Sequence, residues 1–306
     1  MRRSPARRCI VTVLTAFVTT VAGSAVVATP AASTAGLSNP SATLTVKCPG
    51  VKAFVQVDWR GANQVTVRWR LDDTAADRKS PVLRIQAVNA KGSTASMVFP
   101  GGNPHYGLDG GKGSHKVGLK SGWNPGNLAD INHLKVLVRN GNTEQGTSCK
   151  ASRNIFNWSR IAYTTAVSKK DKKYKKYKLG GVGPDYYDCS GLLLTSYNKI
   201  GLFPDFDLSK VRTAEQIYDW ARTHTSPGKV YAQKIRASEA KVGDLLFYEK
   251  TAPSSRDITH VAFWAGDNTL YDALSPQAGI GFHANSAWWT QRLVAVYRIL
   301  GVSTDG

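Results

Sequence analysis

The chain has 306 residues, of which 42% are apolar and 20% charged. That balance excludes a disordered chain, and the length fits two folded domains. The formal charge of +19 favours anionic surroundings.

Arg2, Arg3, Arg7 and Arg8 precede a run from Cys9 to Ala28 rich in Val, Ala and Thr. Small residues follow at Ala31-Ala32-Ser33-Thr34-Ala35-Gly36. A basic start, an apolar middle and a small-residue exit describe a secretory signal peptide over residues 1–35. A membrane anchor needs similar length, but the Thr, Ser and Gly content and the cleavable tail favour removal. The protein is therefore expected outside the cell or associated with the cell wall. No later segment is apolar enough to cross a bilayer, so no stable membrane insertion is expected.

Four arginines and no acidic residue lie before residue 36, so the remainder keeps +15 of the formal +19. An exported protein of that charge meets anionic cell-wall polymers or lipid headgroups more readily than nucleic acid. A solubilising surface is the plainer reading of the same charge.

Beyond Cys9 the chain holds Cys48, Cys149 and Cys189. An odd count in an oxidising compartment leaves one thiol unpaired or reactive. Cys48 and Cys149 stand at the two ends of one predicted domain, so they are expected to pair and leave Cys189 free. The chain-entropy model assigns a crosslink over about 100 residues roughly 4–5 kcal/mol.

Residues 40–154 read as short strands between turns. Val65, Val67 and Trp69 alternate with polar neighbours across Gln64 to Leu71, a period of two. Pro81 to Val88, Thr94 to Phe99 and His133 to Arg139 repeat the pattern, separated by Gly- and Asn-rich turns. Seven or eight such strands predict an all-β, sandwich-like domain of unassigned role, for which binding is one reading. His105, His115 and His133 lack metal-ligand spacing and read as surface histidines.

Residues 155–306 follow a different grammar. Trp158 to Val167 opens as a helix, and Lys169 to Lys178 then places seven lysines against Asp171. This local polycation reads as a solvated helix end or loop, or as a contact for anionic polymers. A glycine-rich loop leads to Asp188-Cys189-Ser190-Gly191, after which Leu192, Leu193, Tyr197 and Ile200 fall on one helical face. Cys189 therefore sits at a helix N-terminus, where unsatisfied amides and the macrodipole favour a thiolate. The polar flanks argue against a buried structural cysteine.

A thiolate nucleophile needs a base, and usually a third group to orient it. Ile258 to Trp264 reads as a strand carrying His260, and Thr269 to Ala273 as its hairpin partner carrying Asp272. Folding about Gly266 sets Asp272 opposite His260, and folding about Asp267 sets it one diagonal neighbour away. Both registers keep the two side chains on one face. Asp272 could instead be an ordinary surface aspartate. His283 falls one strand too late by spacing and is left out. Trp264, Trp288 and Trp289 either line a groove or pack in the core.

Four segments in order resemble the NlpC-type cell-wall cysteine peptidases: Tyr177 to Gly191, Arg212-Thr213-Ala214-Glu215-Gln216, Val242 to Tyr248, and Thr259-His260-Val261-Ala262. The resemblance covers roughly residues 155–300. It implies an α+β papain-like fold, with a helix bearing Cys189 packed on an antiparallel sheet bearing His260. It also implies hydrolysis of peptidoglycan stem peptides, typically between D-glutamate and a diamino acid, with no cofactor or metal. Family members commonly carry His where this chain has Asp272. By the same match Tyr177, Asp188 and Ser190 would seat the stem peptide's amino end, the alternative for Asp188 being a helix cap alone. The same cysteine and histidine would serve an amidase or an acyltransferase, and a non-catalytic wall-binding protein could keep the fold.

Overall fold

The computed structural model describes residues 42–60, 63–128, 131–141, 147–168, 176–200, 208–250 and 257–303. The expected signal peptide and most of the lysine run lie outside the described residues.

The N-terminal region is built from β1 (Ala42–Cys48), β2 (Val51–Trp59), β3 (Val65–Asp73), β4 (Pro81–Asn89), β5 (Thr94–Ser96), β6 (Tyr106–Gly107), β7 (His115–Trp123), β8 (Ile131–Asn140) and β9 (Cys149–Asn157). Alternation decides which side of each strand is buried. In β2, Val51, Ala53, Val55 and Val57 turn inward while Lys52 and Phe54 face out. Strands β1, β2, β3 and β7 form one sheet, and β9, β8, β4 and β5 continue a larger one. Their inner faces share a core containing Val55, Trp69, Ile85 and Val136. The strand expected over Thr94 to Phe99 ends at Ser96, because Met97 and Phe99 leave the sheet to enter that core. His133 is half-buried rather than on the surface, its ring tilted against Phe156 with centroids 4.9 Å apart. Burial, and then Lys135, push its imidazole down to about 4.

The remainder comprises α1 (Trp158–Val167), β10 (Lys176–Tyr177), β11 (Tyr186–Tyr187), α2 (Cys189–Lys199), α3 (Ala214–Thr223), β12 (Tyr231–Ile235), β13 (Leu245–Glu249), β14 (Ile258–Gly266), β15 (Thr269–Ser275), β16 (Gly279–Ala284), α4 (Ala287–Thr290) and β17 (Leu293–Val302). Asn157 caps α1 by accepting from the Arg160 amide at 3.0 Å. Helices α1, α2 and α3 bury Ala162, Leu193 and Ile217 against Phe247, Val261 and Tyr271 of the sheet. No helix among the described residues is long and apolar enough to cross a membrane.

The larger sheet runs β16-β15-β14-β13-β17-β9-β8-β4-β5, with β12 on β17 and β6 on β4. Its two parts join where β17 pairs with β9, Leu300 facing Asn157 and Val302 facing Ile155. The division between residues 154 and 155 therefore falls inside β9, a strand common to both sides. Tyr231, Leu300 and Val302 from the far end of the chain belong to the N-terminal core. Cys48 and Cys149 form a disulfide with Cα atoms 6.0 Å apart. Cys189 is the free cysteine among the described residues.

Candidate active site

Asp188 begins the site. Its extended backbone stops the chain before α2, and its side chain caps the helix by accepting from the Gly191 amide at 2.7 Å. Cys189 is thereby the first residue of α2. Gly191 is required for space: a Cβ there would lie 1.9 Å from the Gly181 carbonyl oxygen. The loop before the helix presses against its first turn, and the Asp188 amide donates to that same carbonyl at 3.0 Å.

The Asp188 carboxylate has further partners. It accepts from the Gly180 amide at 2.7 Å and from Ser190 Oγ at 3.1 Å. Arg212 binds it through two nitrogens, at 2.7 and 3.2 Å, and also donates to Ser190 Oγ at 2.8 Å. Asp188 thus ties the loop, the helix start and Arg212 together. Arg212 itself stands just before the capping box of α3, where Thr213 and Gln216 cap each other's ends. Tyr177 lies beside this cluster. Its hydroxyl is held above the ordinary phenol range by burial and by the nearby Cys189 and Asp188.

His260 projects from β14 toward α2. The β14–β15 register pairs Phe263 with Tyr271 and Trp264 with Leu270, and shifts before Gly266 faces Thr269. Asp267 and Asn268 make the turn with positive φ of 46° and 53°, the backbone a two-residue hairpin demands. This is the register centred on Asp267, with Asp272 a diagonal neighbour of His260. His260 Nε2–H donates to Asp272 Oδ2 at 2.7 Å. Asp272 is 1% exposed and His260 7%.

Hydrogen bonding to the Cys189 side chain also acts on the His260 ring. Burial opposes charge on the imidazole. The charge and hydrogen bonds of Cys189 and Asp272 outweigh it and raise the ring to about 10. Burial likewise opposes charge on Asp272, but the hydrogen bonds from His260 and His283 hold the carboxyl below its ordinary value.

His283 is the residue that spacing from His260 passed over. On β16, Leu270 faces His283 and Asp272 faces Gly281, so His283 is a diagonal neighbour of Asp272. Its Nδ1–H donates to Asp272 Oδ1 at 2.5 Å. Counting from Asp272 instead of from His260 would have found it, since the even offset from Gly281 keeps both side chains on one face.

The aromatic residues near His260 divide. Trp289 is half-buried with its ring 4.8 Å from the imidazole, and Trp264 packs on the same small cluster. Trp288 is 50% exposed, with the Arg292 guanidinium 4.0 Å above its ring. The arrangement joins a thiol at a helix start, a buried imidazole and a carboxylate held from both sides. Such a set can perform nucleophilic acyl transfer. No cluster that could hold a metal ion is present among the described residues.

Residues 174–298 match the family model described as NlpC/P60 family. The chain is 30% identical over 135 residues to probable endopeptidase YafL of Escherichia coli, covering 42% of this chain and 47% of that protein. It is 29% identical over 160 residues to probable endopeptidase p60 of Listeria grayi, covering 51% and 27%. It therefore spans about half the length of the first relative and about a quarter of the second. Among solved structures, a Staphylococcus aureus protein described as similar to lipoprotein, NLP/P60 family, is 30% identical, with a TM-score of 0.34 over 45% of this chain and 41% of that one. The NlpC/p60 domain of peptidoglycan hydrolase SagA is 21% identical, with a TM-score of 0.32 over 45% and 96%. The likeness to the NlpC/P60 family is carried by residues 174–298, in the C-terminal half of the chain.

Proposed function

We propose that this protein is an exported cysteine endopeptidase that hydrolyses peptidoglycan stem peptides at the bond between D-glutamate and a diamino acid. The papain-like catalytic part spans residues 155–306, and the sandwich-like part over 40–154 serves binding. The observation that carries the reading is the hydrogen bonding of Cys189, first residue of α2, to an imidazole that is itself bonded through Nε2 to buried Asp272.

Cys189 thiolate attacks the scissile carbonyl carbon, and the π electrons move to oxygen. Amides at the start of α2, including that of Cys189, meet the oxyanion. The His260 imidazolium gives its proton to the leaving amine as the C–N bond breaks, leaving a thioester. His260 then takes a proton from water, whose oxygen attacks the thioester carbon. Collapse releases the carboxylic acid and restores thiolate and imidazolium. Asp272 acts on the imidazole's orientation and charge. Tyr177 and Ser190 would seat the stem peptide's amino end, with the Asp188 carboxylate behind them. The excess positive charge would hold the protein near anionic cell-wall polymers.

The test is mass spectrometry of purified stem peptides incubated with the protein lacking residues 1–35, beside a Cys189→Ala control. Cleavage after D-glutamate that disappears in the control is expected. Stems left intact by both proteins would refute the reading, and release of whole stems from the glycan would replace it with an amidase.

A further inference from the structure

The smaller sheet of the N-terminal region runs β1-β2-β3-β7, so β7 is its edge. The opposite edge strand, β1, is fastened to β9 by the Cys48–Cys149 disulfide. In the larger sheet, the edge strand β5 has only three residues. β7 has nine, and all of them from His115 to Ser121 except Gly118 are exposed. Two are apolar: Val117 is 47% and Leu119 51% exposed. A long edge with exposed apolar side chains is a template for another strand.

The register with β3 shows what the inner face of that edge offers. Lys116 faces Leu71, Gly118 faces Trp69 and Lys120 faces Val67, and these three partners belong to the core. Directly opposed residues share a face, so Lys116, Gly118 and Lys120 lie on the core side of β7. The Trp69 indole covers Gly118, since a Cβ there would come 2.3 Å from Cζ2 of that ring. Beside it lies a cavity of about 510 Å³, bounded by Lys116 to Lys120 and by Met97 to Pro100. Trp69, Phe99 and Tyr106, packed together with ring centroids 4.9–6.1 Å apart, also line it. Neither β7 nor the Met97–Pro100 segment contains an Asp or Glu. An apolar cavity therefore opens between two lysines along an unpaired strand edge.

We propose that β7 receives an extended segment of a partner protein as a further strand, and that this segment reads acid–apolar–apolar–apolar–acid. An added strand draws affinity from main-chain hydrogen bonds and specificity from the pockets its alternate side chains fill. The central side chain, opposite Gly118, would enter the cavity beside Trp69, in the space a glycine leaves. The two acids would stand opposite Lys116 and Lys120, and opposite charges across a strand pair stabilise it. The two remaining apolar residues would cover Val117 and Leu119 on the outer face. The pattern is symmetric about Gly118, so a parallel and an antiparallel segment meet the same partners. A second copy of this chain is the wrong occupant: pairing β7 with itself, antiparallel about Gly118 or parallel in register, sets lysine against lysine. This names a partner for the binding part of the function proposed above and rests on that assignment, not on the catalysis.

The test is fluorescence anisotropy of the protein with a labelled synthetic peptide carrying Glu-Val-Leu-Val-Glu between Ser and Thr flanks, and with the same residues scrambled. Saturable binding of the ordered peptide, at least ~10-fold tighter than the scrambled one, is expected. Lys116→Gln with Lys120→Gln should weaken it about 3- to 30-fold, the worth of two opposed charge pairs. The melting temperature should not change, because both side chains are exposed. N-methylation of alternate residues blocks one backbone edge of the peptide, so one phase should abolish binding and the other retain it. Equal binding of ordered and scrambled peptides would mean charge attraction alone and overturns the proposal. Equal binding of the two methylated phases, or no saturable binding, overturns it as well. Stem-peptide cleavage is a separate readout. Peptide binding through Lys116 and Lys120 without cleavage would sink the peptidase reading alone, and cleavage without such binding would sink this one alone.

Discussion

His283 Nδ1–H donates to Asp272 Oδ1, the carboxylate oxygen that His260 leaves unused. The carboxylate therefore has a fixed plane as well as a fixed position. A histidine held from one side by such a group has little freedom to leave the thiol.

Asp272→Asn tests the charge of that group at constant shape. The amide can present an acceptor or a donor to His260, and it offers no counter-charge to a buried imidazolium. We expect kcat to fall about 100- to 10,000-fold, with KM changed far less. Steady-state kinetics on a soluble stem peptide measures this. A variant within about threefold of the parent rate would remove Asp272 from the mechanism.

His283 acts through Asp272, as a positioning residue. His283 and His260 share one carboxylate, and the positive charge of each disfavours that of the other. His283→Gln can keep a hydrogen bond to Asp272 while removing its competing charge, so the His260 pKa should rise. The basic limb of the rate profile should therefore move to higher pH, with the rate retained to within about tenfold. His283→Phe, which cannot hydrogen-bond, should lose more. A basic limb unmoved in His283→Gln would make the residue merely structural.

The pH dependence of stability follows from the same three residues. The folded-state pKa of His260 is raised, from the ordinary 6.5 to about 10. Its contribution is full below 6.5 and disappears as pH rises through about 10. The Asp272 pKa is depressed, so its contribution is present above its ordinary 3.8 and lost as pH falls through the lower folded value. Between pH 7 and 10, the melting temperature of the parent should fall more than that of His260→Gln. Parallel curves from calorimetry would contradict this.

Much of the site was legible in the sequence because it is local. The cap residue, the nucleophile and the helix face lie within a dozen positions, and one hairpin joins His260 to Asp272. The turn at Asp267-Asn268 narrowed the register to two choices, and the bulge before Gly266 selects the second. Distant relationships left no mark. Arg212 lies 24 residues from Asp188, and nothing in its own segment names its partner. The pairing of β9 with β17 joins a largely polar strand from the middle of the chain to an apolar strand near its end. Apolar strands with many possible neighbours do not announce which one they choose.

The Asp188–Arg212 pair can be tested on stability as well as rate. Arg212→Gln leaves Asp188, 4% exposed, with two backbone amides and one hydroxyl but no counter-charge. Loss of one partner from a buried pair costs about 3–5 kcal/mol; partial exposure of Arg212 reduces that here to about 2–3 kcal/mol. Urea unfolding of the Cys189→Ala protein with and without the change gives the difference. Asp188→Ala also loses the α2 cap, a further ~1 kcal/mol, and should be the less stable of the two. The reverse order would mean that the carboxylate is the strained partner and Arg212 its remedy.

A final prediction concerns the strand common to both parts. Starting the chain at residue 155 removes the first six residues of β9 (Cys149–Asn157), and with them β8 and every residue of the first core that precedes Ile155. The remaining stub, Ile155 to Asn157, would still face Leu300 to Val302, but its own other edge would be bare. Tyr231, Leu300 and Val302, all buried, would lose the apolar partners they have in that core. Burial of three such side chains is worth about 1.5–3 kcal/mol each, a large share of the stability of a domain of this size. We therefore expect the 155–306 fragment to melt well below the full chain and to aggregate through its exposed sheet edge. Starting at residue 42 should restore the melting temperature. Differential scanning calorimetry with light scattering separates the cases: a fragment that melts with the full chain and stays monomeric would show that the catalytic part needs no support from β8 and β9.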